Sequence, residues 1–255
     1  MKWWLIAQSL FLKCIGLCLI LLSDLNWLGY LVFFSGGCLV VVHIFIPGAQ
    51  GLCNVVTRFR PNGREVWLTI DDGPDAEATP KILDLLDAYG AKATFFMVGE
   101  RAAVFPDLVA AVRARGHSIG SHTQTHPTAF YWMASRKRVA QELDDSLAAL
   151  SAGNEPVTLY RSPVGIKNVF LRAALKVRGL SCIGWTIRTY DTFDREPSLV
   201  AQRVGKALVP GAIILMHEGE SVRRADKGES IARVLEVLKA GGYTCVLPEA
   251  ERFIC

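Results

Sequence analysis

Charged side chains are nearly absent from the first 57 residues of this 255-residue chain. Only three occur there, Lys2, Lys13 and Asp24. From Arg58 onward, by contrast, cationic and anionic residues are interspersed along the whole sequence. Because soluble domains seldom contain so long an uncharged stretch, the two parts of the chain are predicted to face different solvents.

The charge-poor part contains two apolar segments, Trp3–Leu22 and Trp27–Ile46. Each has about 20 residues, enough for a helix to cross the hydrocarbon core of a bilayer. Lys13 lies near the middle of the first segment, where a charge costs roughly 2.5–3.5 kcal/mol, whereas the second segment has no charge. We therefore expect residues 1–47 to form a multi-pass anchor of two transmembrane helices in a bacterial-type plasma (inner) membrane.

Three alternatives to this anchor stay open. One is a cleaved signal peptide, although no small-residue cleavage pattern follows Leu22 and a second apolar run begins soon afterwards. The others are a hairpin that lies in one leaflet and a buried helical pair that belongs to a soluble domain.

Cysteine patterns that build disulfide frameworks or metal sites are also missing. Four of the seven cysteines lie in or beside the apolar region, and no two have C-x-x-C spacing. The sequence therefore predicts neither a disulfide-rich fold, nor a thiolate zinc site, nor a thioredoxin-type redox pair. The net charge is only +4, so nucleic acid is not expected as a partner, and no feature predicts a protein partner.

Residues 48–63 contain several glycines and a Pro-Asn-Gly turn, and we interpret them as an irregular basic linker to a domain over residues 64–255. In that domain short β-rich runs alternate with amphipathic stretches, which is typical of an α/β fold with parallel strands. The predicted strands are Val66–Ile70, Ala93–Val98, Ser118–Ser121, Thr158–Arg161, Cys182–Ile187, Ala212–Met216 and Tyr243–Leu247. The predicted helices are Pro80–Ala88, Pro106–Arg115, Arg136–Leu150, Phe170–Arg178, Ser198–Leu208 and Ser230–Ala240. About seven parallel strands with six helices indicate a small, incomplete (β/α) barrel.

Polar residues follow the predicted strands at their carboxyl ends, where barrel folds place active sites. They are Asp71, Asp72, His122, His126, Arg161, Asp191 and His217. The four-residue spacing of the two histidines would bring both imidazoles to one face of a helical turn, where they could bind one metal ion, although such spacing also arises by chance. Consecutive carboxylates at a strand end diverge, so one could bind metal while the other faces water; a simple Asp-Gly-Pro turn is the alternative.

Four motifs, in order, resemble those of the polysaccharide deacetylases (NodB homology, carbohydrate esterase family 4-like). Thr69–Pro74 is similar to the first motif of that family and His122–His126 to the second. Arg161–Gly165 is similar to the third motif and Leu215–His217 to the fifth. The resemblance covers about residues 64–250 and implies a polysaccharide deacetylase catalytic domain with a distorted (β/α) barrel.

The resemblance also implies a cofactor and a reaction. A divalent metal, usually Zn²⁺, would be bound by Asp72, His122 and His126, with positions left for water and a substrate carbonyl. The reaction implied is hydrolysis of an N-acetyl or other N-acyl group on an amino sugar, either in a polysaccharide or oligosaccharide or in a lipid-linked saccharide. Membrane lipid would be a further partner through the anchor.

Each remaining polar residue has a role implied by the family. Asp71 would be the general base, positioned by a charge-assisted hydrogen bond from Arg161. His217 would be the general acid, which amide hydrolysis needs because an amine anion is a poor leaving group. Asp191 would keep His217 protonated and oriented, and the backbone N–H of Val164 would donate to the oxyanion.

The sequence departs from the family pattern at three positions. Val164 stands where an aromatic residue is commoner, which removes a stacking surface but leaves the backbone N–H. In the fourth motif, Arg188 stands where the family usually has its first Asp, and Thr192 where it has a Trp. Arg188 would favour an anionic group on the substrate, or it pairs locally at the surface.

Three other functions stay open, because fold and motif do not fix a substrate. The same centre would serve an O-acetyl esterase or an amidase that acts on a non-sugar. A membrane-tethered carbohydrate-binding protein without catalysis is the third, although a binding protein needs no complete set of acid, base and metal ligands.

The distribution of positive charge predicts which side of the membrane the domain faces. With two complete spans, both ends of the anchor lie on one side, together with Lys2, Arg58, Arg60 and Arg64, while the turn 23–26 has no cation. The positive-inside rule then favours a cytoplasmic catalytic domain over a periplasmic or exterior one. If Lys13 prevents the first segment from spanning, a single crossing would reverse that orientation.

Overall fold

The computed structural model describes residues 1–151, 155–193, 196–222 and 228–255. The chain begins with two long helices, α1 (Trp3–Leu22) and α2 (Asn26–Phe45), joined by a short turn. Both are long and apolar enough to cross a membrane, and most of their surface is exposed rather than packed inside the protein. Their bounds agree with the two predicted apolar helices to within one residue.

Helices α1 and α2 approach each other closely where glycine replaces a side chain. A methyl group added to Gly16 would lie 2.5 Å from the backbone nitrogen of Phe33, and one added to Gly29 would lie 2.8 Å from the carbonyl oxygen of Gly16. The Ser9 hydroxyl donates a 2.7 Å hydrogen bond to the carbonyl of Gly36. Small residues at such contacts allow the close backbone packing that is common between membrane helices.

The rest of the chain is built on a curled parallel sheet. Its strands run in the spatial order β1-β7-β6-β5-β4-β3-β9-β8, and β10 also pairs with β3. The strands of this sheet are β1 (Val55–Val56), β3 (Glu65–Asp71), β4 (Ala93–Met97), β5 (Ser118–Ser121), β6 (Leu159–Tyr160), β7 (Ser181–Ile183), β8 (Ile187–Arg188), β9 (Ile213–His217) and β10 (Thr244–Cys245). A separate antiparallel pair joins β2 (Arg58–Phe59) to β11 (Phe253–Ile254).

Helices cover the outer face of the sheet. They are α3 (Ala78–Ala88), α4 (Gly99–Val104), α5 (Pro106–Ala114), α6 (Arg136–Leu150), α7 (Leu171–Val177), α8 (Pro197–Ala207) and α9 (Glu229–Ala240). Successive residues of β3 alternate between the two faces: Leu68 packs in the core beneath the helices, whereas Trp67 packs in a second core inside the curl. The same alternation turns Asp71, at the end of β3, toward the inside.

The two edges of the sheet come close to each other but do not pair as strands. Strands β7 and β8 are consecutive in sequence yet lie near opposite ends of the strand order. Between them, the Gly184 N–H donates to the Val56 carbonyl at 2.8 Å, and the Thr186 hydroxyl donates to the Thr57 carbonyl at 2.5 Å. The sheet is therefore an incomplete barrel whose seam is bridged by a few loop hydrogen bonds.

The predicted fold class, a distorted (β/α) barrel preceded by two apolar helices, is confirmed, but three details were wrong. The strand predicted over Cys182–Ile187 is two strands that pair at different edges, because the chain crosses the seam at Gly184. Residues 48–63 are not irregular throughout, since β1 and β2 lie there and β1 pairs with β7. Two-residue strands are too short to show an alternating pattern, and the short helix α4 was missed for a similar reason. The domain boundaries themselves stay a prediction.

Candidate active site

All seven polar residues singled out from the sequence lie together at the carboxyl end of the barrel. Strand pairing explains part of this, because Asp71 and His217 end the neighbouring parallel strands β3 and β9 and are register partners. Asp71 and Asp72 are buried, as are His122, Arg161 and Asp191, while His126 and His217 are partly exposed. The site is therefore mostly buried, and its two most exposed members are the imidazoles of His126 and His217.

Arg161 is fully buried and fixes the position of Asp71. Its Nη1 donates to Asp71 Oδ1 and to the Thr69 hydroxyl, both at 2.7 Å. Its Nε donates to the Ile183 carbonyl at 3.1 Å, and its Nη2 donates to the Gly184 carbonyl at 2.7 Å. Burial lowers the pKa of Arg161, and the Asp71 carboxylate opposes that effect. Oδ1 of Asp71 is thus held by the guanidinium, and Oδ2 lies 3.8 Å from His122 Nε2.

Asp72 turns away from Asp71 and faces both imidazoles. It adopts a left-handed conformation with φ 75°, which Asp tolerates better than most residues. Its Oδ1 lies 3.4 Å from His122 Nε2 and 3.1 Å from His126 Nε2, while Oδ2 accepts a 2.8 Å hydrogen bond from the Ser221 hydroxyl. Burial opposes ionisation of Asp72, but the two facing imidazoles overcome it and hold its pKa well below the usual range.

The tautomer of His122 follows from its other nitrogen. Nδ1 lies 2.9 Å from the Arg161 carbonyl, which can only accept, so Nδ1 carries a hydrogen and Nε2 is the nitrogen that faces the site. The His126 ring packs beside it, with ring centroids 4.8 Å apart. Both imidazoles therefore present Nε2 to the same carboxylate oxygen.

The predicted helical turn over these histidines was wrong. Residues 122–130 form a loop in which Thr123 (φ 69°) and His126 (φ 51°) are left-handed, and the Thr123 hydroxyl accepts from the His126 N–H at 3.1 Å. The imidazoles converge because of this tight loop rather than helical periodicity. Left-handed conformations at Thr and His leave no local sequence signal.

Glu142 of α6, which sequence reasoning missed, supports the histidine loop from behind. Its buried carboxylate accepts from the backbone N–H groups of Gln124 and Thr125, both at 2.9 Å, and from the Thr125 hydroxyl at 2.7 Å. Arg138 pairs with the same carboxylate at 2.5 Å. In sequence Glu142 is one of many helical acids, so only its tertiary contacts reveal this role.

The donor set of Asp72, His122 and His126 fits a divalent cation. The three ligand atoms lie within 4.8 Å of one another. Tetrahedral zinc with bonds of about 2.0–2.1 Å separates its ligand atoms by roughly 3.3 Å, close to the two Oδ1–Nε2 distances above. Within the part of the chain that the structure describes, the buried Oδ1 of Asp72 has no hydrogen-bond donor, which a cation would satisfy.

His217 and Asp191 form a second pair across the site. His217 Nδ1 lies 2.8 Å from Asp191 Oδ1, and its backbone N–H donates to Asp191 Oδ2 at 2.7 Å. The Thr189 hydroxyl also donates to Asp191 Oδ1 at 3.0 Å. Burial lowers the pKa of His217, but the hydrogen bond and charge of Asp191, with Asp71 and Asp72 nearby, raise it to about 9. His217 is therefore protonated at neutral pH.

The residues that depart from the family pattern lie around the site. Val164 is left-handed (φ 49°) and about half exposed in the turn Pro163–Gly165 that follows Arg161. Arg188 stacks on the ring of Tyr190, with its guanidinium carbon 4.8 Å from the ring centroid, as the local-pairing alternative expected.

Comparisons with known proteins identify the family of the chain. The family model described as "Polysaccharide deacetylase" matches residues 59–183. A chitooligosaccharide deacetylase from Bradyrhizobium is 35% identical over 161 residues, 61% of this chain and 71% of the relative. A peptidoglycan-N-acetylglucosamine deacetylase from Bacillus cereus is 32% identical over 187 residues, 72% of this chain and 86% of the relative.

Solved structures show the same fold. A family 4 carbohydrate esterase from Streptomyces lividans is 29% identical, with a TM-score of 0.67 over 76% of this chain and 98% of that one. A protein from Bacillus anthracis, described as a CE4 family pseudoenzyme, is 28% identical, with a TM-score of 0.66 over 74% of this chain and 65% of that one. The chain therefore belongs to the polysaccharide deacetylase family, which confirms the predicted enzyme class, a hydrolase acting on N-acetyl amide bonds of carbohydrates.

Proposed function

We propose that the chain hydrolyses the N-acetyl or another N-acyl group of an amino sugar, in an oligo- or polysaccharide or in a lipid-linked saccharide. The observation that carries the proposal is the convergence of two imidazole Nε2 atoms on Oδ1 of Asp72, beside a second carboxylate, Asp71, that is separately held by Arg161. The similar chitooligosaccharide and peptidoglycan deacetylases support the choice of an amino sugar.

Asp72, His122 and His126 are the proposed metal ligands. A divalent cation bound there, with Zn²⁺ favoured by the two imidazoles, supplies a Lewis acid for an amide carbonyl and for water. The Nδ1–H of His122 donates to the Arg161 carbonyl and so keeps that ring in the tautomer a ligand requires. Glu142 and Ser221 hold the loop and the carboxylate in place.

Asp71 is the proposed general base. Arg161 occupies its Oδ1, so Oδ2 is the atom that takes a proton from the attacking water. Because the pair is buried and pre-formed, little reorganisation is needed when the proton moves.

His217 is the proposed general acid. Asp191 occupies its Nδ1, so Nε2 is the nitrogen that gives a proton to the departing amine. The Val164 N–H would donate to the amide oxygen as negative charge develops there. With water added across the C–N bond, the products are a carboxylate and a free amino sugar.

The two alternative enzyme functions differ from the proposed one in the group that leaves the acyl carbon. An O-acetyl ester or a non-sugar amide would use the same residues, and product identification separates them. A binding protein without turnover is disfavoured because acid, base and metal ligands are all present, although a solved neighbour described as a pseudoenzyme makes a direct activity measurement necessary.

Metal content and turnover separate the roles of the two neighbouring carboxylates. We expect Asp72→Ala, His122→Ala and His126→Ala to lower the bound metal from about one ion per chain to nearly none, since a three-ligand centre is lost. Asp71→Asn should keep the metal and lower turnover by roughly 10²–10⁴-fold, as loss of a general base does. Elemental analysis and amine release from N-acetylated chitooligosaccharides measure the two quantities.

The matched control is Asp84→Ala, which removes a carboxylate exposed on α3 and should change neither quantity. Loss of metal in Asp71→Asn with retention in Asp72→Ala would reverse the assigned roles. Metal binding without amine release from any acetylated sugar would rule out the proposed reaction.

The pKa of His217 predicts the basic limb of the pH–rate profile. Because the acid is protonated below a pKa of about 9, we expect kcat/KM on an amide to fall with a midpoint near pH 9. Asp191→Asn removes the charge that raises this pKa, so the midpoint should move to lower pH by roughly one to three units. An unchanged midpoint would show that His217 is not the group being titrated.

We propose that residues 1–47 anchor the enzyme in the plasma membrane through two spans and that the catalytic domain, residues 64–255, faces the cytoplasm. The positive charges near both ends of the anchor support this orientation. A green fluorescent protein fused after Cys255 should fluoresce, while an alkaline phosphatase fusion should be inactive. A dark fluorescent fusion with an active phosphatase fusion would contradict the two-span arrangement.

A further inference from the structure

The end of the second apolar helix touches the active-site turn directly. Pro47, two residues beyond α2, packs against Gly165, where an added methyl group would lie only 2.6 Å from the proline ring. Gly165 belongs to the same turn as Val164, which follows Arg161. The apolar helices are therefore in contact with the part of the barrel that borders the reaction site.

Hydrogen bonds from Lys167 stabilise this contact. Its buried ammonium donates to the carbonyls of Ile46 and Pro47 at 2.6 and 2.9 Å, and its backbone N–H donates to the Ile44 carbonyl at 3.0 Å. The amino group of Met1 donates to the Val169 carbonyl at 3.2 Å. The start of α1 and the end of α2 are thus both held by the segment that follows the Val164 turn.

Asn168 extends the contact to the loop that follows His126. Its side-chain Nδ2 donates to the carbonyls of Tyr131, Trp132 and Ala134 at 2.8, 3.1 and 2.9 Å. The Trp132 ring packs against Phe45, the last residue of α2, with centroids 5.7 Å apart. This loop therefore lies at the level where the apolar helices end.

The same loop exposes an amphipathic surface. The side chains of Phe130 and Met133 are 74% and 63% exposed, and the exposed cations Arg136 and Lys137 follow at the start of α6. We name these four residues the apolar–basic rim. Exposed large apolar groups beside Lys and Arg are typical of surfaces that bind the interface of an anionic bilayer.

We infer that the apolar–basic rim rests on the anionic bilayer that holds α1 and α2, and that the site receives the amino-sugar head group of a membrane lipid. Two span-length helices end beside the rim, which places it at the interfacial depth where such side chains bind. A lipid-linked substrate presents its sugar at that depth, whereas a soluble polymer gains nothing from it. The inference rests on the proposed deacetylase function and narrows its substrate class.

Photocrosslinking tests the surface without relying on activity. The full chain, with benzoylphenylalanine in place of Phe130, is reconstituted in lipid discs of phosphatidylglycerol and phosphatidylethanolamine and irradiated. We expect covalent phospholipid adducts by mass spectrometry. The same substitution at Val177, which is 83% exposed at the end of α7, should give at least tenfold fewer adducts. Equal yields at both positions, or adducts to a second protein copy instead of lipid, would overturn the inference.

Substrate preference tests the head-group assignment. Amine release from a lipid-linked N-acetyl amino sugar in the same discs is divided by release from a soluble chitooligosaccharide. We expect Phe130→Ser/Met133→Ser to lower this ratio at least tenfold, and Val177→Ser to leave it unchanged. An unaltered ratio in the double variant refutes the inference even if the enzyme is active. Absence of amine release from both substrates refutes the proposed reaction. Lipid adducts at position 130 would still support contact between the apolar–basic rim and the bilayer.

Discussion

The buried guanidinium of Arg161 is the interaction on which the rest of the site depends. A charge without water must be paired and hydrogen-bonded, because an isolated buried ion is very costly. Arg161 meets this requirement through Asp71, Thr69 and two carbonyls near the seam of the barrel. Its donors therefore connect β3 to the end of β7 and to Gly184 directly after it, and they fix one carboxylate at the carboxyl end of the barrel.

The ion pair between Arg161 and Asp71 gives different roles to two adjacent carboxylates, Asp71 and Asp72, that would otherwise be equivalent. Asp71 is held by a cation from inside the protein, whereas the left-handed backbone of Asp72 turns its carboxylate toward the Nε2 atoms of two imidazoles. One aspartate is thus suited to move a proton and the other to bind a metal. His217 lies at the end of the neighbouring strand, β9. Its protonation is set by Asp191 rather than by Arg161.

The sequence was most informative where a β-rich run was followed directly by polar residues at the predicted end of the strand. The short β-rich run over residues 66–70 predicted β3, and the polar residues after it and after β9 could be placed at one edge of the sheet because parallel strands end together. The resemblance to a family then separated ligands from acid and base. The split between β7 and β8, the loop conformation of Thr123 and His126, and the support from Glu142 could not be predicted, because each depends on contacts between distant parts of the chain. Lys167 and Asn168 likewise look like ordinary surface residues until the helices are seen against them.

The account depends most on the division of labour between Asp71 and Asp72. Anomalous X-ray scattering from crystals of the full chain grown with Zn²⁺ measures it most directly. We expect one anomalous peak at about 2.0–2.2 Å from Nε2 of His122, Nε2 of His126 and a carboxylate oxygen of Asp72, with Asp71 still paired to Arg161. A peak bound by Asp71, or no peak at this cluster, would contradict the account.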